Sequence, residues 1–234
     1  MTILLAIETS ANLCSVALAR DGEIVDLVVS EPRGHARYLL PAIDRLLIDT
    51  GLTLRHLDAI AVTTGPGSFT GLRIGIGVAQ GLAYGADLPA VPVSSLATLA
   101  QGGIRGGHLV QGDVAVTVLD ARMDEVYWGL YQVAGELVVA VCPDRVDAPR
   151  AIKFAGDPPG GSRYVGLGDG WKFAAQFPFK PAHYDVQAAP QARDMIPLAL
   201  AALRAGATVT PEALEPRYLR DNHWQKRQRP QRAG

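Results

Sequence analysis

The sequence predicts an α/β protein of two lobes, each built on the same β-β-β-α-β-α unit. Three observations carry that prediction. Strand-like apolar runs alternate with helix-spaced runs along the chain. An ordered internal match relates ILLAIE (3 to 8) to VAVTVLD (114 to 120), both buried-strand patterns ending at an acid. In that match Glu8 falls against Asp120, Leu18 against Leu130 and Gly22-Glu23 against Gly135-Glu136, with one inserted residue. Finally, Gly102-Gly103 and Gly106-Gly107 interrupt the chain between the copies and read as a linker. The expected organisation is a first lobe over 1–104, joined by a C-terminal segment at about 191–220, a second lobe over 105–190, and a basic tail over 221–234.

Each element has its own signal. After ILLAIE, LCSVALAR (13 to 20) alternates as a second strand. Asp21-Gly22 then supplies a hairpin turn, because both residues tolerate positive φ, and EIVDLVVS (23 to 30) is the third strand. Leu39, Leu40, Ile43, Leu46 and Leu47 are spaced for an amphipathic helix over 35–50, closed by Gly51. LDAIAVT (57 to 63) is the fourth strand, followed by a helix over 68–85, a short strand over 90–93 and a helix over about 94–102. In the second copy, EVYWGLYQV (125 to 133), the turn Ala134-Gly135 and ELVVAV (136 to 141) repeat the strand pattern. Residues 142–190 are rich in Pro and Gly and carry no clear period, and a final helix over about 191–205 precedes the tail.

The chain has 234 residues, 19% charged residues and a net charge of −1, a balance that does not point to nucleic acid or a membrane surface. Its two cysteines, Cys14 and Cys142, form neither a CxxC pair nor a disulfide framework, which fits a reduced cytoplasm. The run ILLAI is too short for a secretion signal or a membrane span. The five histidines show no metal-ligand spacing. His35 reads as a surface or capping residue, Cys14 as a small core residue, and no GxSxG elbow is present.

The stretch TTGPGSFTGLRIGIGVAQGLAYG (63 to 85) has the grammar of a phosphate loop, since it follows a strand and opens a helix. It lacks the GK[ST] of a P-loop, its spacing is GxGxxxG rather than GxGxxG, and Arg73 is the only cation nearby. Anion or nucleotide contacts are therefore expected, if anywhere, from Glu8, Ser10, Gly65, Gly67, Ser68 and Asp120, with Ser68 or Thr70 capping the helix. The alternative is a tight strand-to-helix turn. Ser10 and Arg122, two residues past the acids, would crowd a phosphate where a kinase would carry glycine.

The glycines beyond the loop are more informative. Gly71, Gly75, Ala79 and Ala83 recur every four residues and share a helix face. Glycine in a helix interior costs about 1 kcal/mol relative to alanine, and Gly75, Gly77 and Gly81 all incur it. Close backbone approach would offset that cost, either against the protein's own sheet or against another subunit. The tail, Arg220 to Gly234, carries five cations against Asp221, and with Trp224 could touch RNA phosphates or stack on a base; a solvated end is the plainer reading.

The stretches LLAIETSANLCSVAL (4 to 18), GHARYLLPAID (34 to 44), GPGSFTGLRIGIGVAQGLA (65 to 83), VLDARMDEVYW (118 to 128) and EPRYLRDN (215 to 222) resemble the TsaB (YeaZ) family of tRNA threonylcarbamoyladenosine biosynthesis. They span almost the whole chain in order, with only 142–190 weak. The resemblance implies the actin-like or sugar-kinase-like (ASKHA) two-lobe fold, a cytoplasmic location and a non-catalytic role. TsaB-like proteins pair with TsaD, which transfers threonylcarbamoyl to N6 of adenosine 37 in ANN-decoding tRNAs, and the ATPase TsaE joins them. The resemblance places the TsaD contact, and a homodimer contact when the protein is alone, on the first-lobe helices, here Arg37, Leu40, Asp44, Gly71, Leu72, Gly75, Ile76, Ala79 and Ala83. It implies no catalytic residue, no metal, no tightly bound cofactor, and only an indirect contact with tRNA; a nucleotide would sit at the partner interface. TsaD-like proteins carry an HxxxH metal pair whose positions fall here on Ser95 and Leu99. Where the family often has Asp, this chain has Glu8, which weakens a kinase-like metal role further. Two other readings remain: an independent sugar-kinase-like ATPase or phosphotransferase, and a glycoprotease-like peptidase, the latter disfavoured by the missing HxxxH and nucleophile.

Overall fold

A computed structural model describes residues 2–31, 34–153 and 162–220. The first sheet holds β1 (Ile3–Glu8), β2 (Cys14–Arg20), β3 (Glu23–Val29), β4 (Ala59–Gly65) and β5 (Ala90–Ser94), in the order β3-β2-β1-β4-β5. The second holds β6 (Val114–Arg122), β7 (Glu125–Ala134), β8 (Leu137–Ala140), β10 (Tyr164–Leu167) and β11 (His183–Asp185), in the order β11-β10-β6-β7-β8. β9 (Arg145–Asp147) also pairs with β7. The two orders are the same plan twice: a central first strand with an antiparallel hairpin on one side and a parallel neighbour on the other. This is the duplicated two-lobe ASKHA architecture. The repeat is incomplete, because among the described residues the second copy has short 3-10 turns at 149–151 and 169–176 where the first has α-helices.

Side-chain size decides which helix lies on which face. β1 and β2 turn Ile3, Leu5, Ile7, Val16 and Leu18 toward α1 (His35–Thr50) and α2 (Phe69–Ala86). The opposite face is alanine-rich, with Ala6, Ala17, Ala19, Ala59 and Ala61, and receives α4 (Ala192–Arg204) through Met195, Ile196 and Ala199. The remaining helix, α3 (Ser95–Arg105), packs Leu96, Leu99 and Ala100 on the second sheet. The other face of that sheet is filled by Trp171, Phe177 and Ile152. The described residues of 142–190, which has no readable period, hold three short strands, of which β10 and β11 border Trp171, whose indole N–H donates to Val116 O at 2.9 Å.

Two sequence expectations need correcting. Gly102-Gly103 is not a linker but lies inside α3. A Cβ at Gly102 would meet Asp194 Oδ2 at 2.8 Å, and Asp194 takes both Arg105 Nε (2.6 Å) and Arg105 Nη2 (2.9 Å). Gly102 lets α3 and α4 approach, and Gly103 lets Leu109 and Leu167 close on α3; the chain crosses between the lobes at 106–113 and again between β11 and α4, at 186–191. His35 is not a surface residue either. It is 7% exposed, and its Nε2 lies 3.1 Å from both Ala11 O and Leu13 O, which pins the loop after β1.

Candidate functional site

A cleft of about 670 Å³ opens between the lobes. Ser10, Asn12, Gly67, Ser68 and Phe69 line it from the first lobe, and Asp120, Arg122, Tyr127, Asp169 and Gln187 from the second, with Arg220 at its rim. Of the residues expected to contact an anion, Ser10, Gly67, Ser68 and Asp120 therefore do reach one space, whereas Glu8 and Gly65 are not among its lining.

Glu8 lies beneath the cleft floor, with no exposed surface. Ser10 N–H donates to its Oε1, while Glu8 Oε2, Ser10 Oγ and Thr63 Oγ1 complete no hydrogen bond of good geometry. Burial pushes the Glu8 carboxyl up to about 7, and the neighbouring Ser10 and Thr63 only partly offset it. The folded pKa thus exceeds the unfolded one, so the protein holds this proton more tightly when folded. That stability is fully present below the unfolded value near 4.5 and is lost as pH rises through about 7. Glu8→Gln is expected to melt close to the wild type at pH 5. By pH 9 it should be more stable by on the order of 3 kcal/mol. Thermal melts of both proteins across that range check it, and a gap that stays constant with pH would refute a protonated Glu8.

Asp120 is placed differently. Burial would raise its pKa, but Lys172, Arg122 N–H and the Arg122 guanidinium hold it below the ordinary carboxylate range. Lys172 Nζ lies 2.7 Å and Arg122 Nη1 2.9 Å from Asp120 Oδ2. The carboxylate is committed to its own lobe's cations rather than left open for Mg²⁺. Among the described residues, no group of three or more His, Cys, Asp or Glu side chains is arranged to hold a metal.

The glycine loop is also occupied by its own chain. Ser68 N–H donates to Ser10 O at 2.7 Å, and Ser68 Oγ caps α2 by accepting from Gly71 N–H at 3.2 Å. Gly65 has φ +120°, and a Cβ there would meet Arg217 O at 2.9 Å, so the loop passes tightly under the C-terminal segment. Ser95, at the first position of the TsaD-type metal pair, is buried and donates to Pro66 O; Leu99, at the second, is 1% exposed in the second lobe's core. The tight-turn reading of the loop accounts for every one of these contacts.

Sequence reasoning missed a clamp that joins two of the quoted motifs. Arg122, Met123 and Asp124, in DARMDEVYW, are consecutive left-handed residues with φ of 65°, 55° and 59°. Such a run is costly for residues with a Cβ. Arg220, in EPRYLRDN, holds it: Nη2 donates to Ala121 O (3.0 Å), Arg122 O (3.1 Å) and Glu125 Oε2 (2.5 Å). Arg220 therefore belongs to the folded body rather than to the tail. The strap before it donates Arg217 N–H to Thr64 O and accepts from Gln80 Nε2 at Leu214 O. The tail 221–234 lies outside the described residues.

The second site is the outer surface of α1 and α2. The helix α2 has two small-residue faces. A Cβ on Gly71 would lie 2.0 Å from Thr9 O, and one on Gly75 would lie 2.2 Å from Thr9 Oγ1. Gly71, Leu72, Gly75, Ile76, Ala79 and Ala83 are all buried in the first lobe. These six, expected at a partner surface, are thus in the lobe's own core, because β1 and the turn after it run directly beneath them. Arg37, Leu40 and Asp44 on α1 are exposed as expected. The face of α2 that does meet solvent carries Gly77, Gly81 and Gly85, and among the described residues no atom lies within 4 Å of a Cβ built at any of them. The same two helices also expose Leu40 (52%) and Ile48 (66%) on α1 and Tyr84 (72%) on α2.

Comparison with known proteins fits this geometry. The family model described as TsaD, tRNA N6-adenosine threonylcarbamoyltransferase, matches residues 29–227. The protein named tRNA threonylcarbamoyladenosine biosynthesis protein TsaB from Escherichia coli K12 is 38% identical over 233 residues, covering 95% of this chain and 97% of its own. The chain belongs to the TsaB family. The Haemophilus influenzae TsaB is 37% identical over 95% of this chain and 96% of its own. The solved structure of YeaZ from Pseudomonas aeruginosa superposes with a TM-score of 0.88 at 39% identity, covering 94% of this chain and all of that one. Another structure from that organism, described as similar to peptidase YEAZ, gives a TM-score of 0.89. Among the described residues of this chain, no helix is long and apolar enough to cross a membrane.

Proposed function

We propose that this protein acts in tRNA threonylcarbamoyladenosine biosynthesis as a non-catalytic partner and activator subunit. It pairs with a TsaD-like protein, and with a TsaE-like ATPase in the complex, in the cytoplasm. The observation that carries the reading is the outer face of α2. Gly77, Gly81 and Gly85 weaken their helix, and among the described residues no atom lies within 4 Å of a Cβ built at any of them. A partner helix lying close against that face would use the space, and Leu40, Ile48 and Tyr84 would supply apolar area beside it. A homodimer could use the same surface when the partner is absent. The committed Asp120, the buried Glu8 and the self-occupied loop support a degenerate rather than a working phosphotransfer centre. The open cleft keeps a sugar-kinase-like ATPase as the alternative, and a nucleotide at the partner interface is compatible with either. The test is co-purification with the TsaD-like protein of the same organism, followed by tRNA modification with each component omitted. Loss of modification without this chain, together with no ATP turnover by it alone, is expected. ATP turnover at ordinary enzyme rates by the isolated protein would overturn the reading.

A further inference from the structure

The strap that ends at Arg220 ties the outward stripe of α2 to the cleft mouth. Its first part is fastened to the first lobe: Val209 and Ala90 exchange backbone hydrogen bonds at 2.9 Å, and Leu214 is buried in that lobe's core. Residues 215–220 are held differently, since none of them is fully buried. Arg217 N–H donates to Thr64 O at 2.7 Å, and the Tyr218 hydroxyl accepts from Arg73 Nε at 3.1 Å. Just before them, Leu214 O accepts from Gln80 Nε2 at 2.9 Å. Arg73, Gly77, Gln80, Gly81 and Tyr84 recur at steps of three and four residues, so both donors stand on the same side of α2 as its open glycines. At the far end Arg220 crosses to the second lobe. It holds Arg122, Met123 and Asp124 in their left-handed turn through Ala121 O, Arg122 O and Glu125 Oε2. Within that turn Arg122 grips Asp120, its N–H 2.8 Å from Oδ1 and its Nη1 2.9 Å from Oδ2.

We infer that residues 215–220 are a latch, set from the outer face of α2 and acting on the β6–β7 turn at the cleft mouth. A segment held by separate polar bonds rather than by buried apolar area opens locally, without unfolding the body. Three consecutive left-handed residues persist only while something over-determines them, so the turn has a relaxed state to enter once Arg220 leaves. Coupling between two places needs such a two-state element, and the turn supplies it. With the latch closed, Arg122 stays on Asp120 and the cleft wall is fixed. With it open, the turn relaxes and Arg122 swings free of Asp120, which changes the charge facing the cleft. Arg73 and Gln80 reach the strap as donors, to Tyr218 OH and Leu214 O. A helix over Gly77 and Gly81 with carboxylate or carbonyl oxygens along its flank would take those donors and open the latch. A strap that only held the fold together would leave the turn indifferent to these two side chains. The inference rests on the proposed function only for what occupies the α2 face; the coupling itself is internal to the chain.

The test digests the full chain alone with a low dose of trypsin and follows the fragment ending at Arg122 by mass. The Arg122 side chain is 78% exposed and Met123 82%, yet the left-handed backbone between them does not fit a protease's extended groove until the turn opens. The rate of that cut therefore reads the open population. Arg220→Gln should raise it at least about tenfold, and Arg73→Ala combined with Gln80→Ala at least about threefold, with cuts elsewhere keeping their wild-type rates. Arg45→Ala, which removes an exposed ion pair with Asp49 on α1, should leave the cut at Arg122 unchanged. A wild-type rate in Arg220→Gln would remove the latch, and a wild-type rate in the Arg73, Gln80 variant would remove its setting from α2; either result overturns the inference. Faster cutting at every site would overturn it too, as the sign of a loosened fold. Failure to co-purify with the TsaD-like protein would overturn the proposed function and leave these rates untouched, so the two failures are distinguishable.

Discussion

Gly71→Ala is expected to destabilise the isolated protein by about 3 kcal/mol, lowering its melting temperature by roughly 6–12 °C. The added methyl would stand 2.0 Å from Thr9 O, a backbone atom at the end of β1 that cannot move without shifting the sheet. Gly75→Ala should be milder, because its clash at 2.2 Å is with Thr9 Oγ1, a side-chain atom that can rotate. Rotation would still forfeit the bond from Thr9 Oγ1 to Gly71 O at 2.9 Å. Gly77→Ala and Gly81→Ala, on the other side of the same helix, meet nothing within 4 Å. They should raise stability by up to about 1 kcal/mol each through helix propensity alone. Differential scanning calorimetry of the four variants gives the ordering directly. If Gly71→Ala and Gly81→Ala melted alike, the assignment of the two faces would be wrong.

The double variant Gly77→Leu, Gly81→Leu is expected to fold at least as well as the wild type and to bind a TsaD-like partner at least a hundredfold more weakly. Two branched side chains would hold an approaching helix away from the backbone, and close helix contact depends on that separation. Size-exclusion chromatography and calorimetric titration with the partner read the outcome. Normal affinity in a folded double variant would move the interface off this face. Gly75→Leu cannot serve as the interface test, because it would fail to fold first.

Much of this was legible in the sequence because the signals were local. The hairpin at Asp21-Gly22 follows from residues that accept positive φ, here 53° and 89°. The amphipathic spacing of Leu39, Ile43, Leu46 and Leu47 located α1, and all four are buried. The short strands of 142–190 show no period because three or four residues are too few for one, and what holds them is tertiary: β9 pairs with β7, β10 with β6, and β11 with β10. The clamp from Arg220 to the turn at 122–124 was invisible for another reason. It joins residues nearly a hundred positions apart, and neither motif alone announces a partner.

The sequence by itself determined the duplicated architecture, the family, and the presence of too many glycines in one helix. Periodicity, acid-ended strands and helix propensity are properties of neighbouring residues, and they survive without coordinates. The tertiary structure alone decided which way each glycine face points. A spacing of four marks Gly71, Gly75, Ala79 and Ala83 as one face but not which way that face points. Thr9 beneath Gly71 and Gly75 turns that face inward, while Gly77, Gly81 and Gly85 face open space among the described residues. The same holds for the acids at the strand ends. Glu8 and Asp120 match in sequence, yet one is sealed under Ser10 and the other is held by Lys172 and Arg122, because burial and pairing depend on what the rest of the chain brings near.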